Sequence, residues 1–153
     1  VAYSDYERVG AVVGQARGRC DVLVASFHGG TEKAEEPNDI QQAFAHRAVE
    51  SGADLVIGHH PHVIQPLEVY RGKPIIYSVG NFLFVSPAPS TRPTVAVRAT
   101  LTKEGVARID FMALDTNWGR PTPASRTQRE AIRAALDRYG ALSAEPEKYR
   151  VVP

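Results

Sequence analysis

The chain is poor in the features that mark the special classes of protein. Its 153 residues hold one cysteine, so no internal disulfide framework can form. Cys20 stands just ahead of an apolar run and is expected to be a buried packing residue. Charge of one sign is also lacking: 18 basic against 17 acidic side chains leave a net charge of +1. That balance removes the electrostatic footprint that nucleic acid or an anionic membrane surface would demand, and no nucleic-acid partner is expected. No apolar stretch approaches the roughly 18 residues of a membrane-spanning helix, and nothing resembles a secretory signal, so the chain as it stands is expected to be soluble. Internal repeats and low-complexity tracts are absent too. A chain of this length buries a core without disulfides or structural metal, so metal here would serve function first.

Histidine, by contrast, is concentrated. Of five in the chain, His59, His60 and His62 fall within four positions, directly after the apolar run Asp54–Ile57 and Gly58. A fourth, His28, follows a similar run, Asp21–Phe27, and precedes Gly29 and Gly30. Open α/β folds bind ligands where strands end at one sheet edge, so two apolar strands that terminate in histidine point to one shared site.

The periodicity around these runs gives an α/β fold. Tyr6, Val9, Val12 and Val13 form the stripe of a helix over Asp5–Ala16, ended by Gly18. The strand Asp21–Phe27 is nearly all apolar, as a parallel strand covered on both faces should be. A polar loop from Gly29 to Glu36 leads to a helix that starts at Pro37 and Asn38, buries Ile40, Phe44, Ala48 and Val49, and stops at Gly52. With the second buried strand at Asp54–Ile57, the order helix, strand, helix, strand predicts a crossover unit with a parallel sheet. Antiparallel hairpins are expected next. Val63–Tyr70 pairs with Ile75–Tyr77 across Arg71–Pro74, and Thr94–Leu101 pairs with Val106–Leu114 across Lys103–Gly105. In the second pair Val95, Val97, Ala99 and Leu101 share a face. Ser86–Pro93 and Trp118–Ser125 are Pro-rich and read as irregular; Gln128–Tyr139 reads as a last helix, and Gly140–Pro153 as peripheral. The organisation expected is an α/β unit over residues 1–117, then a Pro-rich linker, helix and tail over 118–153. The start at Val1, directly in helix-like sequence, suggests a piece of something longer.

Neutral imidazoles bind zinc, manganese or iron at roughly 2.0 to 2.3 Å, so paired histidines on a stiff turn make useful metal ligands. His60 and His62 flank Pro61, which limits their wandering, and the alternative is a His-rich turn without metal. His28 is either a ligand from a strand end or a satisfied core histidine. His59 reads as a donor to a ligating group or as a phosphate contact, with direct ligation as the alternative. Glu32 is either solvated or placed to hydrogen-bond a ligating histidine or orient a water. Ser78 and Asn81, beside Gly80, suit a phosphate oxygen or the orientation of His60 or His62; the alternative is a tight turn held by the Asn side chain. Phe82 and Phe84 read as core or rim packing, and His46, mid-helix, as structural.

Three segments carry a resemblance: Gly58-His59-His60-Pro61-His62-Val63, Tyr77-Ser78-Val79-Gly80-Asn81-Phe82, and His28-Gly29-Gly30-Thr31-Glu32. Over roughly Cys20 to Phe84 the chain resembles the C-terminal half of the bacterial capsule synthesis proteins of the CapA or PgsA type, linked to poly-gamma-glutamate, within the calcineurin-like metallophosphoesterase superfamily. The resemblance implies His28, His60 and His62 as ligands of divalent metal (Mn, Fe or Zn), with Asn81 and Glu32 near the site. It implies His59 or Asn81 stabilising charge on phosphate oxygens, and a substrate that is a phosphate ester or anionic polymer. It also implies a cell-surface location for the parent protein and partners in the capsule synthesis machinery. Two departures stand out. Gly29 occupies a position that is usually tryptophan in the family, and no Gly-Asp, Asp-x-His or Asn-His pair occurs anywhere. The carboxylates and the Asn-His pair of a two-cation centre are then expected from a missing N-terminal half, leaving weak single-cation binding and little hydrolysis in this chain alone. The rival readings are a noncatalytic surface component that exports, tethers or assembles an anionic polymer, and a small domain using its histidines for structural zinc.

Overall fold

The computed structural model describes residues 6–85 and 88–152. Asp5, Ser86 and the side chain of Tyr6, which entered the expectations above, lie outside the described residues. The opening unit is helix α1 (Tyr6–Arg17), strand β1 (Val24–His28), helix α2 (Asp39–Glu50) and strand β2 (Leu55–His59). Asn38 caps α2 through a reciprocal capping box with Gln41. Strands β3 (Leu67–Tyr70) and β4 (Lys73–Ile76) complete a four-stranded sheet in the order β1-β2-β4-β3, with β1, β2 and β4 parallel and β3 antiparallel to β4.

A second sheet follows, built on the long hairpin β5 (Pro93–Thr102) and β6 (Gly105–Asn117), with β7 (Arg120–Pro123) antiparallel and β8 (Tyr149–Val152) parallel to β6. Helix α3 (Arg126–Leu136) and the short α4 (Ala141–Ala144) lie between them in sequence. One core joins Leu55, Leu67 and Ile76 of the first sheet to Val95, Ile109 and Phe111 of the second, closed by Ile132 and Leu136 of α3. On the other face of the first sheet Val56, Ile75 and Tyr77 pack against Val9 of α1 and Ala45, Ala48 and Val49 of α2. The mixed α/β architecture with antiparallel hairpins and a C-terminal helix is as expected. No helix among the described residues is long and apolar enough to cross a membrane.

Several local expectations are corrected. The 140–153 tail is not peripheral: Leu142 and Tyr149 are 1% exposed, and Tyr149 and Val151 stand opposite Ile109 and Phe111 across the β6–β8 ladder. The Pro-rich stretch after Trp118 contains β7, an edge strand, where proline's missing N–H costs no ladder bond. On β1 Ala25 and Phe27 pack against the core under α1 and α2, while Val24 shares an exposed face with Ser26 and His28, so the run is covered on one face only. Cys20 is exposed because β1 begins four residues later, leaving it in the connection behind α1. Ile40 and Val12 face outward. Gln41 takes the inward position on α2, one residue and about 100° of helix away from Ile40. Leu101 is exposed beyond a register shift at Thr100/Leu101.

Candidate metal centre

The β1–β2 ladder pairs His28 directly with His59, so both strands deliver their histidines to the same edge. Gly58 makes the approach possible. A Cβ there would lie 2.1 Å from the Tyr77 carbonyl oxygen and 2.5 Å from the Phe27 ring. Beyond β2 the chain turns through Pro61 with His60 at φ 107° and His62 at φ 62°, conformations that L residues seldom adopt. Backbone strain of this kind costs on the order of 1–3 kcal/mol per residue and concentrates at functional sites. The turn aims both rings at the strand ends: His60 lies with its ring centroid 5.0 Å from His28 and 5.9 Å from His62. His60 Nδ1 is 3.2 Å from His28 Nε2, so one ring donates to the other.

His62 is held more firmly. Its Nδ1 is 2.7 Å from Asn81 Oδ1, which fixes Nδ1 as the donor and leaves Nε2 with a free lone pair. Asn81 is itself buried, and its amide nitrogen donates to the Thr91 carbonyl at 3.3 Å, so both ends of the side chain are engaged. Ser78 is 1% exposed and its hydroxyl accepts from Gly80 N, shaping the turn that presents Asn81. Phe84 packs its ring against His62 at 4.9 Å, while Phe82, Leu83 and Val85 are exposed; these phenylalanines form a rim.

The loop after β1 is tied to the histidine turn by backbone bonds, Gly29 N to His59 O at 3.0 Å and Lys33 N to Pro61 O at 2.7 Å. That tie brings exposed Glu32 to the site: one donor atom each from Glu32, His60 and His62 lie within 4.8 Å of one another. Residues that sequence reasoning passed over hold the loop. Fully buried Gln65 donates to the carbonyls of Ala34 (3.0 Å) and Glu36 (2.9 Å) and accepts from Gln41 at 2.8 Å. Arg138 pairs with Glu35 and Glu36, and the Tyr139 hydroxyl donates to Glu36. A polar glutamine inside a strongly apolar stretch was the available signal for Gln65.

Burial, with the neighbouring His28 as the smaller cause, holds the His59 imidazole below its ordinary pKa and favours its neutral form. His46 stands apart from this site, bonded to Glu68 at 3.0 Å and stacked on Tyr70, as a structural residue would be. Gly29 has open space where a side chain would project. The donor set suits a divalent ion: neutral imidazoles with one ring nitrogen fixed by a hydrogen bond, a carboxylate within reach, and a rigid turn.

A family model described as bacterial capsule synthesis protein PGA_cap matches residues 1–86, a span that contains His28, Glu32, His59, His60, His62, Ser78 and Asn81. The PGA biosynthesis protein CapA of Bacillus subtilis is 36% identical over 115 residues, covering 75% of this chain and 30% of that protein. The capsule biosynthesis protein CapA of Bacillus anthracis is 37% identical over 109 residues, covering 71% of this chain and 26% of that protein. A probable polyglutamine synthesis accessory protein of Mycobacterium tuberculosis is 44% identical over 63 residues, 40% of this chain and 16% of that protein. The chain therefore spans less than a third of the length of these relatives.

Proposed function

The chain belongs to the bacterial capsule synthesis protein family PGA_cap, and from that membership we propose that it carries part of the metal-dependent, phosphoesterase-like site of a larger capsule, or poly-gamma-glutamate, biosynthesis protein. One observation supports the reading above the others: two parallel strand ends and a strained turn bring His28, His60 and His62 together, with Asn81 fixing the ring of His62. His28, His60 and His62 hold the cation, manganese, iron or zinc. A bound divalent cation supplies Lewis-acid polarisation of a phosphoryl oxygen and lowers the pKa of water. Because both ends of the Asn81 amide are already engaged, Asn81 serves as a positioning residue, and His59 is left to contact a phosphate oxygen. Further ligands come from the remainder of the parent protein, whose place is at the cell surface among the capsule synthesis machinery and whose substrate is a phosphate ester or an anionic polymer.

The test is a phosphodiester assay with metal titration on the full-length parent. Metal-dependent turnover lost in His60→Ala supports this reading. A second reading, a noncatalytic component that exports, tethers or assembles the polymer, draws on the accessory role in the name of the mycobacterial relative. It predicts intact polymer handling in the same variant and no turnover in the wild type.

A further inference from the structure

We infer that Arg98, Arg108 and Arg150, gathered around the Asp110 carboxylate on the outer face of the second sheet, form a binding site for a carboxylate-bearing chain. The site is separate from the histidine cluster and lies outside residues 1–86, the span matched by the family model. The near-zero net charge hides it. Residues 1–86 carry 7 basic and 10 acidic side chains, whereas residues 87–153 carry 11 basic and 7 acidic. The positive excess of the second segment has a focus. Across the β5–β6 and β6–β8 ladders Arg98 and Arg150 both stand opposite Asp110, and Arg108 lies two residues before Asp110 on β6, so all four share one face. The other face of β6 sends Ile109 and Phe111 into the core.

One carboxylate does not satisfy three guanidinium groups. Arg150 donates from Nε and Nη2 to Asp110 Oδ1 at 2.8 and 2.6 Å, and Arg98 from the same two atoms to Oδ2 at 3.3 and 3.0 Å. Four such bonds fill the acceptor sites of a carboxylate. Arg108 is left over: its Nε stands 3.4 Å from Oδ2, is shut off from solvent and has no hydrogen-bond partner. Asp110 is fully buried, and the Arg150 bonds foremost hold its carboxyl below the ordinary pKa, so it stays ionised. Three cations around one anion leave two positive charges in excess. Other carboxylates of this segment are engaged elsewhere, Asp115 with Arg92, Glu130 with Arg126 and Glu145 with Lys148. The three arginine side chains are otherwise exposed, each with five N–H donors and therefore donors to spare. Asp110 thus acts as a template that holds three forks ready for a second anion.

The shape of the site selects the ligand. Planar guanidinium forks match carboxylates through paired, parallel bonds. Arg98 and Arg150 are rooted two strand spacings apart, roughly 10 Å, so the site is broad enough for more than one carboxylate. Beside the arginines, Ala96, Met112 and Val152 stand in register as a half-buried apolar row, suited to the aliphatic stems of a polycarboxylate. Neither row holds an aromatic side chain on which a base could stack, which disfavours single-stranded nucleic acid.

The experiment is fluorescence anisotropy of end-labelled poly-L-glutamate with the full-length parent, stripped of metal on chelating resin, for wild type, Arg108→Gln, Arg108→Lys and Arg126→Gln. Arg108→Gln is expected to weaken binding about tenfold, as loss of a charge-assisted bond does. Arg108→Lys should weaken it about threefold, because the charge stays and the fork goes. Arg126, an exposed arginine of α3 paired with Glu130, is the control for diffuse charge, and its variant should bind like wild type. Citrate should compete better than inorganic phosphate at equal ionic strength. Thermal unfolding of Arg108→Gln should match wild type or lie above it, since the Nε has no partner to lose. Absence of wild-type binding, unchanged affinity in Arg108→Gln, or an equal loss in Arg126→Gln would overturn the inference. So would stronger competition by phosphate or by a single-stranded oligonucleotide. Binding that vanishes on the resin and returns with Zn²⁺ would move the polymer to the histidine cluster, overturning the inference and leaving the metal-bearing reading standing. Failure of both Arg108 variants to fold would assign the residue to the fold and overturn it as well.

Discussion

Replacing Gln65 by leucine is expected to loosen the site loop and cost about 3 kcal/mol without touching any side chain at the site. Leucine is close in volume, so no cavity opens; what is lost is three hydrogen bonds, to Ala34 O, to Glu36 O and from Gln41 Nε2. Each is worth about 1 kcal/mol net, with a range of roughly 0.5–1.5. The Gln41 amide, 2% exposed, is left without water and pulls its share to the upper end, whereas the two loop carbonyls regain solvent and pull theirs down. With a urea slope of about 2 kcal/mol/M, the unfolding midpoint should fall by about 1.5 M. A double-mutant cycle with Gln41→Leu isolates the Gln41–Gln65 bond, and a coupling of about 1 kcal/mol is expected because the double variant no longer buries an orphan amide. Hydrogen exchange should place the loosening at the Lys33 amide, which bonds Pro61. A midpoint within about 0.3 M of wild type would refute the reasoning.

Three further outcomes follow from the same geometry. Asn81→Ala frees the His62 ring and should weaken zinc binding by about 10- to 100-fold, while calorimetric unfolding of the metal-free chain moves far less; equal affinity would show that the bond does not orient a ligand. Deleting residues 140–153 removes Leu142 and Tyr149 from the core and uncovers Ile109 and Phe111, so the truncated chain should lose its cooperative thermal transition; a wild-type melting curve would mean the tail is dispensable. At Asp54 burial works to raise the carboxyl pKa, but the bonds from Lys73, Leu23 N–H and Arg17 outweigh it and hold it below the ordinary value. Stability from this carboxylate is therefore fully present at neutral pH and lost as pH falls below about 4, through the lowered folded value. Asp54→Asn should be less stable than wild type at pH 7 and approach it near pH 3 in urea titrations; a pH-independent gap would contradict this.

The gathering of the histidines was legible in sequence because they follow strands immediately, and parallel strands in register deliver their ends to one edge. The nearness of Glu32 was one of two readings of that residue, and the sequence pattern alone did not decide between them. It depends on the Lys33–Pro61 backbone bond and on positive φ angles at Lys33, His60 and His62, none of which a residue pattern encodes. Gln65 was hidden for a related reason, since a polar residue inside the run read as strand 63–70 declares its burial only once the partner loop is in place. In the fold, long apolar periods gave the first sheet and the β5–β6 hairpin correctly. β7 was masked by its prolines, and β8 by its position in a short, mixed tail whose Tyr149–Val151 alternation makes sense only beside β6. Cys20, Val12 and Ile40 were misplaced because single apolar residues next to a pattern inherit its face by assumption, and helical phase or a connection decides otherwise.

The most direct measurement of the central claim, that this strand-end cluster holds a divalent cation, is X-ray absorption fine structure on the zinc-loaded chain. The account predicts a nitrogen and oxygen shell at about 2.0–2.1 Å with outer-shell scattering from imidazoles. A shell of oxygen alone, without imidazole scattering, would contradict it.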